Sequence, residues 1–383
     1  MTRLEYWLSS LVLRLLGRLL RVLPMAPRRV VLATARVSRL EGNLLHLDRA
    51  MRARYPDLEY VHLLEPYGYG LRGKIAYMGR LVRGMYHLSR ARLFIVDNAY
   101  LPIHVAPHRP ETKVIQVWHA TGALKRFGAD TAVPLREPER TFLHRHYDAV
   151  VVSAESARLP YSRALRTPVE HVHALGTPRT DFLYDATALA QARARVLAAF
   201  PQLAGRRVVL YAPTFRGRGP DKRPAEGLDP AALRALLPPE YALVLKSHPN
   251  LDPQLVATSG YDAVIDPAAE IDEVFAATDV FVTDYSSSIF EWAVLRRPLI
   301  LLVPDLAEYE RDPGLYVDYR TQMIGTRVLD TDGVAAAILG GDFDLAGYEA
   351  FVERHLGLAR GRASERFVER FLGRAVDGGP AGR

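Results

Sequence analysis

Two histidines directly follow apolar, strand-like runs: His119 in VIQVWHATGALKRFG and His248 in LVLKSHP. An imidazole at the end of a buried strand, with small residues after it, is placed to take a proton from a hydroxyl or to stabilise an anion. Thr214, Arg216 and Arg218 hold similar positions in YAPTFRGR, as do Lys246 and Ser247 ahead of His248. In VFVTDYSSSIFEWAV an apolar run ends at Asp284, and Ser286, Ser287 and Ser288 open an apparent helix. Unsatisfied N–H groups at such a helix start, together with serine hydroxyls, suit a phosphate. Arg216 and Lys246 would add positive charge, arginine as a bidentate partner. Glu291 falls inside the same helix, either in solvent or within reach of a ribose hydroxyl.

Each residue also has a plainer reading. Asp284 or a serine can cap the helix, His119 can be a satisfied core ring, and His248 before Pro249 can simply end a strand. Two histidines, two cations and a serine series converging on strand ends favour phosphate chemistry, with one histidine as base and the other as phosphate stabiliser.

Other chemistries are excluded or unsupported. The chain has no cysteine, which removes disulfides, thiolate nucleophiles and cysteine-based zinc sites. The pairs His144/His146 and His171/His173 have no third ligand nearby in the sequence, so a structural role is expected and no metal site is assigned. The serines lie outside a GxSxG elbow, and neither a Walker loop nor a strand-to-helix GxGxxG is present.

The elements that must carry these residues are regular. Arg29–Arg36, Leu58–Leu64, Arg92–Asn98, Lys113–Trp118, Asp148–Ala154 and Val169–Leu175 read as buried strands. A second series comprises Arg207–Pro213, Tyr241–Ser247, Asp262–Ile265, Val280–Asp284 and Pro298–Val303. Alternation with longer, helix-sized stretches predicts parallel sheets covered on both faces. At 383 residues the chain exceeds one hydrophobic core. The expected class is α/β, with two doubly wound, Rossmann-like domains, 28–190 and 200–345, facing a cleft. Thr187–Gly205 reads as a helix and turn between them, Gly217–Pro230 as an exposed mobile loop, and 346–375 as C-terminal helices able to pack back on the first domain.

Charge is concentrated at the start. Seven arginines up to Arg36 stand against Glu5 alone, which accounts for six of the seven net positive charges. That distribution does not fit a nucleic-acid binder, whose basic footprint covers a folded face. Within residues 1–25, Arg14, Arg18 and Arg21 recur at helical spacing against Val12, Leu15, Leu16, Leu19 and Leu23. Three arginines inside the span argue against a transmembrane helix. A basic amphipathic helix on an anionic membrane surface is expected, the alternative being a helix that docks its apolar face on the protein's own core.

Taken as a set and in order, QVWHATGALKRFG, GTPRTDFL, YAPTFR, LKSHP, TDYSSSIFEWAVLRRPLILLVPD and RDPGLYVDY resemble the CDP-glycerol glycerophosphotransferase family of teichoic-acid synthesis. RVSRLEGNLLHLDRAM is similar to that family's early Gly-Asn loop. The resemblance implies a GT-B fold with the nucleotide on the C-terminal domain. It implies transfer of a polyol phosphate, glycerol phosphate first, from a CDP-alcohol donor to a hydroxyl of a lipid-linked saccharide or polymer acceptor, with release of CMP at the cytoplasmic face of the membrane. His119 matches the family's base and His248 its second functional histidine, while Thr214, Arg216 and the serines after Asp284 match groups associated with donor phosphates. The family usually has glycine where this chain has Ala120. No tightly bound cofactor is implied, although Mg²⁺ can accompany the nucleotide. A GT-B nucleotide-sugar glycosyltransferase or sugar-nucleotide epimerase is the alternative, since fold alone does not decide function.

Overall fold

The computed structural model describes residues 3–64, 66, 70–131, 139–217, 221–249, 251–341, 343–357 and 359–373. Arg218 and the DGGPAGR tail lie outside the described residues. The chain divides into two units, Met1–Asp181 with His355–Arg383, and Phe182–Arg354.

The first unit is built on six parallel strands: β1 (Ala26–Thr34), β2 (Glu59–Leu64), β3 (Ala91–Val96), β4 (Lys113–Gln116), β5 (Ala149–Val152) and β6 (Val172–Ala174). Their order is β2-β1-β3-β4-β5-β6. Valine, isoleucine and leucine fill these strands because both faces are covered. On one face Leu44, Leu47 and Met51 of a helix, Gly42–Arg54, pack with Phe367 and Leu372 against Val30, Leu32, Ile95 and Ile115. The C-terminal residues therefore belong to this core. Their anchor is Asp181 of the GTPRTDFL run, whose two carboxylate oxygens accept the Ala363 and Ser364 amides at 2.8 Å. The expected C-terminal helices are Gly347–Leu356 and Ala363–Val368, separated where Gly357, Arg360 and Gly361 adopt positive φ.

The second unit has β7 (Arg207–Tyr211), β8 (Tyr241–Lys246), β9 (Ala263–Ile265), β10 (Val280–Thr283), β11 (Leu299–Leu302) and β12 (Thr326–Val328). The order β12-β11-β10-β7-β8-β9 is the doubly wound arrangement with its switch point between β7 and β10. In the first unit the corresponding reversal falls between β1 and β3. Helix Ala186–Ala199, expected between domains, packs instead on helix Ile271–Ala277 inside the second unit. In the expected loop after β7, Arg216 and Arg223 pair as an antiparallel bridge. Strand β12 was not foreseen, because three residues with two polar side chains give too little apolar signal.

The N-terminal helix α1 (Arg3–Leu20) does not dock its leucine face on the protein's own core, the alternative reading of the sequence, but the opposite face. Ser9, Ser10, Leu13 and Gly17 are buried, whereas Leu4, Leu8, Leu11, Leu15 and Leu19 are exposed. At ~100° per residue these leucines share one side, opposite the buried residues. Gly17 permits the approach: a Cβ there would meet Met85 at 2.6 Å. Phe142 seals the other end under Tyr6, Trp7 and Arg14. Among the described residues no helix is long and apolar enough to cross a membrane.

Candidate active site

In each unit the polar candidates collect at the carboxyl ends of the strands, where ligands bind in open α/β sheets. In the first unit Gln116 ends β4, and Trp118 then takes a left-handed backbone conformation, φ 49°. That turn brings the half-buried His119 back to the end of β3, where its Nδ1 lies 3.1 Å from the Asp97 carbonyl oxygen. A carbonyl only accepts, so Nδ1 carries the proton and Nε2 is the basic nitrogen of the neutral ring. The Tyr161 hydroxyl lies 2.9 Å from both the Ala120 and the Gly122 carbonyl oxygens, sharing its one proton between them, and fixes the small-residue turn beyond. Ala120 is thus held by its backbone.

The Asp97 carboxylate sits at this unit's switch point and is 3% exposed. Arg36 Nη1 approaches Oδ2 at 3.5 Å, Thr34 adds a hydrogen bond, and buried Oδ1 has no partner among the described residues. Burial pushes this carboxyl up to about 6, against Arg36 and Thr34, which favour the ionised form.

The second switch point carries the same residue types in a tighter arrangement. Asp284 accepts from Thr214 N at 2.8 Å, Thr214 Oγ1 at 3.1 Å and Arg216 Nη1 at 2.8 Å. Arg216 also binds Asp305 through Nε at 2.6 Å and Nη2 at 3.2 Å, a bidentate pair. Tyr285 donates to Asp305 at 2.9 Å and stacks on Tyr309, with the guanidinium carbon about 5 Å from both rings. Burial opposes the charge, yet the bonds to Asp305 and Asp284 hold the arginine pKa above its ordinary value. Burial likewise disfavours ionised Asp305, but Arg216 and Tyr285 hold its pKa below the carboxylate range. Sequence reasoning set Thr214 and Arg216 at the donor phosphates, with Asp284 as the strand-end candidate ahead of the serines. The geometry gives them to one another, and both edges of the guanidinium fork are already occupied.

The remaining candidates flank this clasp. His248 follows β8 and sets its ring edge-on to Phe215, centroids 4.8 Å apart. Ser247 and Lys246 are buried, and Lys246 Nζ donates to the Pro267 carbonyl at 2.8 Å. Ser286 and Ser288 share a hydroxyl–hydroxyl bond of 2.6 Å, and Ser286 Oγ also accepts from Ser288 N at 3.2 Å. Two of the three serines therefore organise the start of helix Ser288–Leu295, while half-buried Ser287 makes no side-chain capping bond. Glu291 is buried in that helix, not in solvent.

Sequence reasoning missed Asp97, Asn43, Tyr285 and Asp305. Asp97 and Asp305 follow apolar runs just as Asp284 does, a signal available in RLFIVDN and PLILLVPD. Asn43 looks like an ordinary helix-start residue until its partners are known. His144 and His171 are bound to Tyr147 and to the Asp148 carbonyl. Among the described residues no cluster of three or more His, Cys, Asp or Glu could hold a metal ion.

Comparison with known proteins gives a consistent picture. The family model for CDP-Glycerol:Poly(glycerophosphate) glycerophosphotransferase matches residues 15–373. The teichoic acid ribitol-phosphate primase of Bacillus spizizenii is 31% identical over 369 residues, covering 93% of this chain and 94% of its own. The same organism's teichoic acid poly(ribitol-phosphate) polymerase is 30% identical over 92% of this chain, which spans only 57% of that longer protein. A structure of the wall teichoic acid polymerase TagF with CDPG superposes with a TM-score of 0.74 at 21% identity, covering 92% of this chain and 90% of that one. The α/β, GT-B class expected from the sequence is therefore the observed class.

Proposed function

The chain belongs to the CDP-glycerol:poly(glycerophosphate) glycerophosphotransferase family, and from that premise we propose that it transfers a polyol phosphate from a CDP-alcohol to a hydroxyl of a lipid-linked saccharide or polymer, releasing CMP. The observation that carries this reading is His119, which follows the turn after β4 with Nδ1 on the Asp97 carbonyl and Nε2 as the basic nitrogen.

In the proposed reaction His119 Nε2 takes the proton of the acceptor hydroxyl. The freed oxygen attacks the phosphorus that bears the polyol. The bond from that phosphorus to the bridging oxygen breaks, and the bridging oxygen leaves with CMP. Such transfers need in-line positioning and charge neutralisation more than covalent catalysis. We assign the base to the first unit and donor binding to the second. There His248, Ser287 and the amides near Ser286 are the proposed contacts to the diphosphate. Thr214, Arg216 and Asp284 hold the loops that present them, with Lys246, Ser247 and Ser288 as supports and Glu291 as a buried neighbour. No resident metal is assigned; any Mg²⁺ enters with the donor diphosphate.

The membrane surface is proposed as a further partner, reached through α1 on the cytoplasmic face. The exposed side of α1 is a stripe of leucines edged by Arg18, with Arg21 just past the helix end donating to the Pro107 carbonyl. Ile75 and Val82 of the adjoining helix Gly70–Leu88 are exposed as well. Apolar residues rimmed by cations suit an anionic leaflet.

A donor panel tests the reading. CDP-ribitol is the first donor to offer, because both curated relatives described above are ribitol-phosphate enzymes, with CDP-glycerol beside it and UDP-sugars as controls. CMP release from a CDP-polyol in the presence of acceptor supports the proposal. Turnover of sugar nucleotides alone contradicts it.

A further inference from the structure

We propose that Asn43 and Gln116 are positioning residues for His119, gripping the Trp118 peptide from both sides and holding it in the left-handed turn that aims the imidazole. This rests on the reading of His119 as the base.

Left-handed backbone is costly for a bulky residue and persists only where surroundings over-determine it. Trp118 has φ 49°, and two side-chain amides meet its polar groups. Gln116 Oε1 accepts the Trp118 N–H at 2.8 Å, and Asn43 Nδ2 donates to the Trp118 carbonyl at 2.9 Å. Both amides are themselves fixed. Gln116 Nε2 donates to the Asn98 carbonyl at 3.0 Å and to Tyr147 OH at 3.1 Å. Asn43 Oδ1 accepts Arg179 N at 3.1 Å. Flipping either amide would set N–H against N–H and oxygen against oxygen, so each has one orientation.

Behind Gln116 the Tyr147 hydroxyl also meets His104 Nε2 at 2.9 Å and His144 Nδ1 at 3.1 Å. A phenol oxygen donates once and accepts twice. With Gln116 donating, one ring nitrogen donates and the other accepts, which requires a ring nitrogen without a proton. Burial lowers both histidine pKa values, that of His144 to about 3, so the network stays neutral at working pH. The Trp118 ring packs against Phe127, His119 and His144, carrying the constraint into the imidazole itself. Gln116 and Asn43 are 0% and 3% exposed, and Asp97, whose carbonyl meets His119, directly precedes the Asn98 that Gln116 holds.

The isosteric variants Gln116→Glu and Asn43→Asp each remove the donors that fix the grip. Both should lower kcat about 10–100-fold while leaving KM for the CDP-polyol unchanged. Nitrogen NMR of His119, assigned by His119→Gln, should show the Nδ1–H tautomer in the wild type and a mixture in the variants. Folded variants with wild-type kcat and the Nδ1–H tautomer would overturn the inference. Should a variant fail to fold, the wild-type spectrum decides: an Nε2–H tautomer overturns the inference, and Nδ1–H supports it. Activity surviving in His119→Ala would instead remove the base assignment, a separate failure.

Discussion

Arg216 donates from Nη1 to Asp284 at 2.8 Å while Nε and Nη2 hold Asp305, so one side chain ties together the loops after β7, β10 and β11. Arg36 approaches Asp97 only to 3.5 Å at the first unit's switch point and is one-third exposed. Similar residue types at equivalent topological positions thus give a closed clasp in one unit and a loose one in the other.

Arg216→Lys tests the closed clasp. An ammonium cannot serve two carboxylates with a planar fork. Stability measured by urea unfolding should fall, by at most the roughly 3–5 kcal/mol of a buried pair that loses one partner. Unchanged stability with a raised donor KM would instead return Arg216 to the phosphate role suggested by the sequence.

Asp97→Asn tests the loose clasp through pH. The unfolded carboxyl titrates near ~3.9, and the folded one at about 6. Within that window the folded state holds the extra proton, so the Asp97 contribution to stability declines as pH rises and is lost above the folded value. Relative to wild type, Asp97→Asn should gain about 1–3 kcal/mol between about pH 4 and about pH 7. A stability difference that does not vary with pH would refute the assignment.

The leucine stripe predicts membrane binding separable from folding. Because Leu8, Leu11 and Leu15 are exposed, replacing all three by serine should leave the melting temperature unchanged. Each leucine withdrawn from water stabilises binding by up to about 1.5–3 kcal/mol, so sedimentation with anionic vesicles should be abolished. Retained sedimentation would discard α1 as the anchor. Loss at high salt alone, with the leucines intact, would assign binding to the arginines only.

Much of this was legible in the sequence. Continuous apolar runs such as Val30–Ala33 and Leu299–Leu302 admit few readings other than buried strands, and a polar residue just past such a run marks the ligand-binding edge of the sheet. His119 was found that way. The roles were less legible, because a strand-end arginine looks the same whether it faces a phosphate or two carboxylates. Asp305 lies 89 residues from Arg216, and no local pattern links them. Asn43 and Trp118 are 75 residues apart, with the left-handed turn as the only reason for their pairing. In α1 the leucine pattern was visible, but the side that docks is set by the small residues Ser9, Ser10 and Gly17. Periodicity alone marks the leucines as the apolar face without saying whether a membrane or the protein's own core covers it.

The central claim is that His119 is the base of a CDP-polyol phosphotransfer. Its most direct test compares wild type and His119→Ala for CMP release from CDP-ribitol and CDP-glycerol with an acceptor, alongside donor affinity by calorimetry. The account predicts a kcat loss of about 10²–10⁴ with donor affinity unchanged. Undiminished CMP release by His119→Ala, or no release from any CDP-polyol by the wild type, would contradict it.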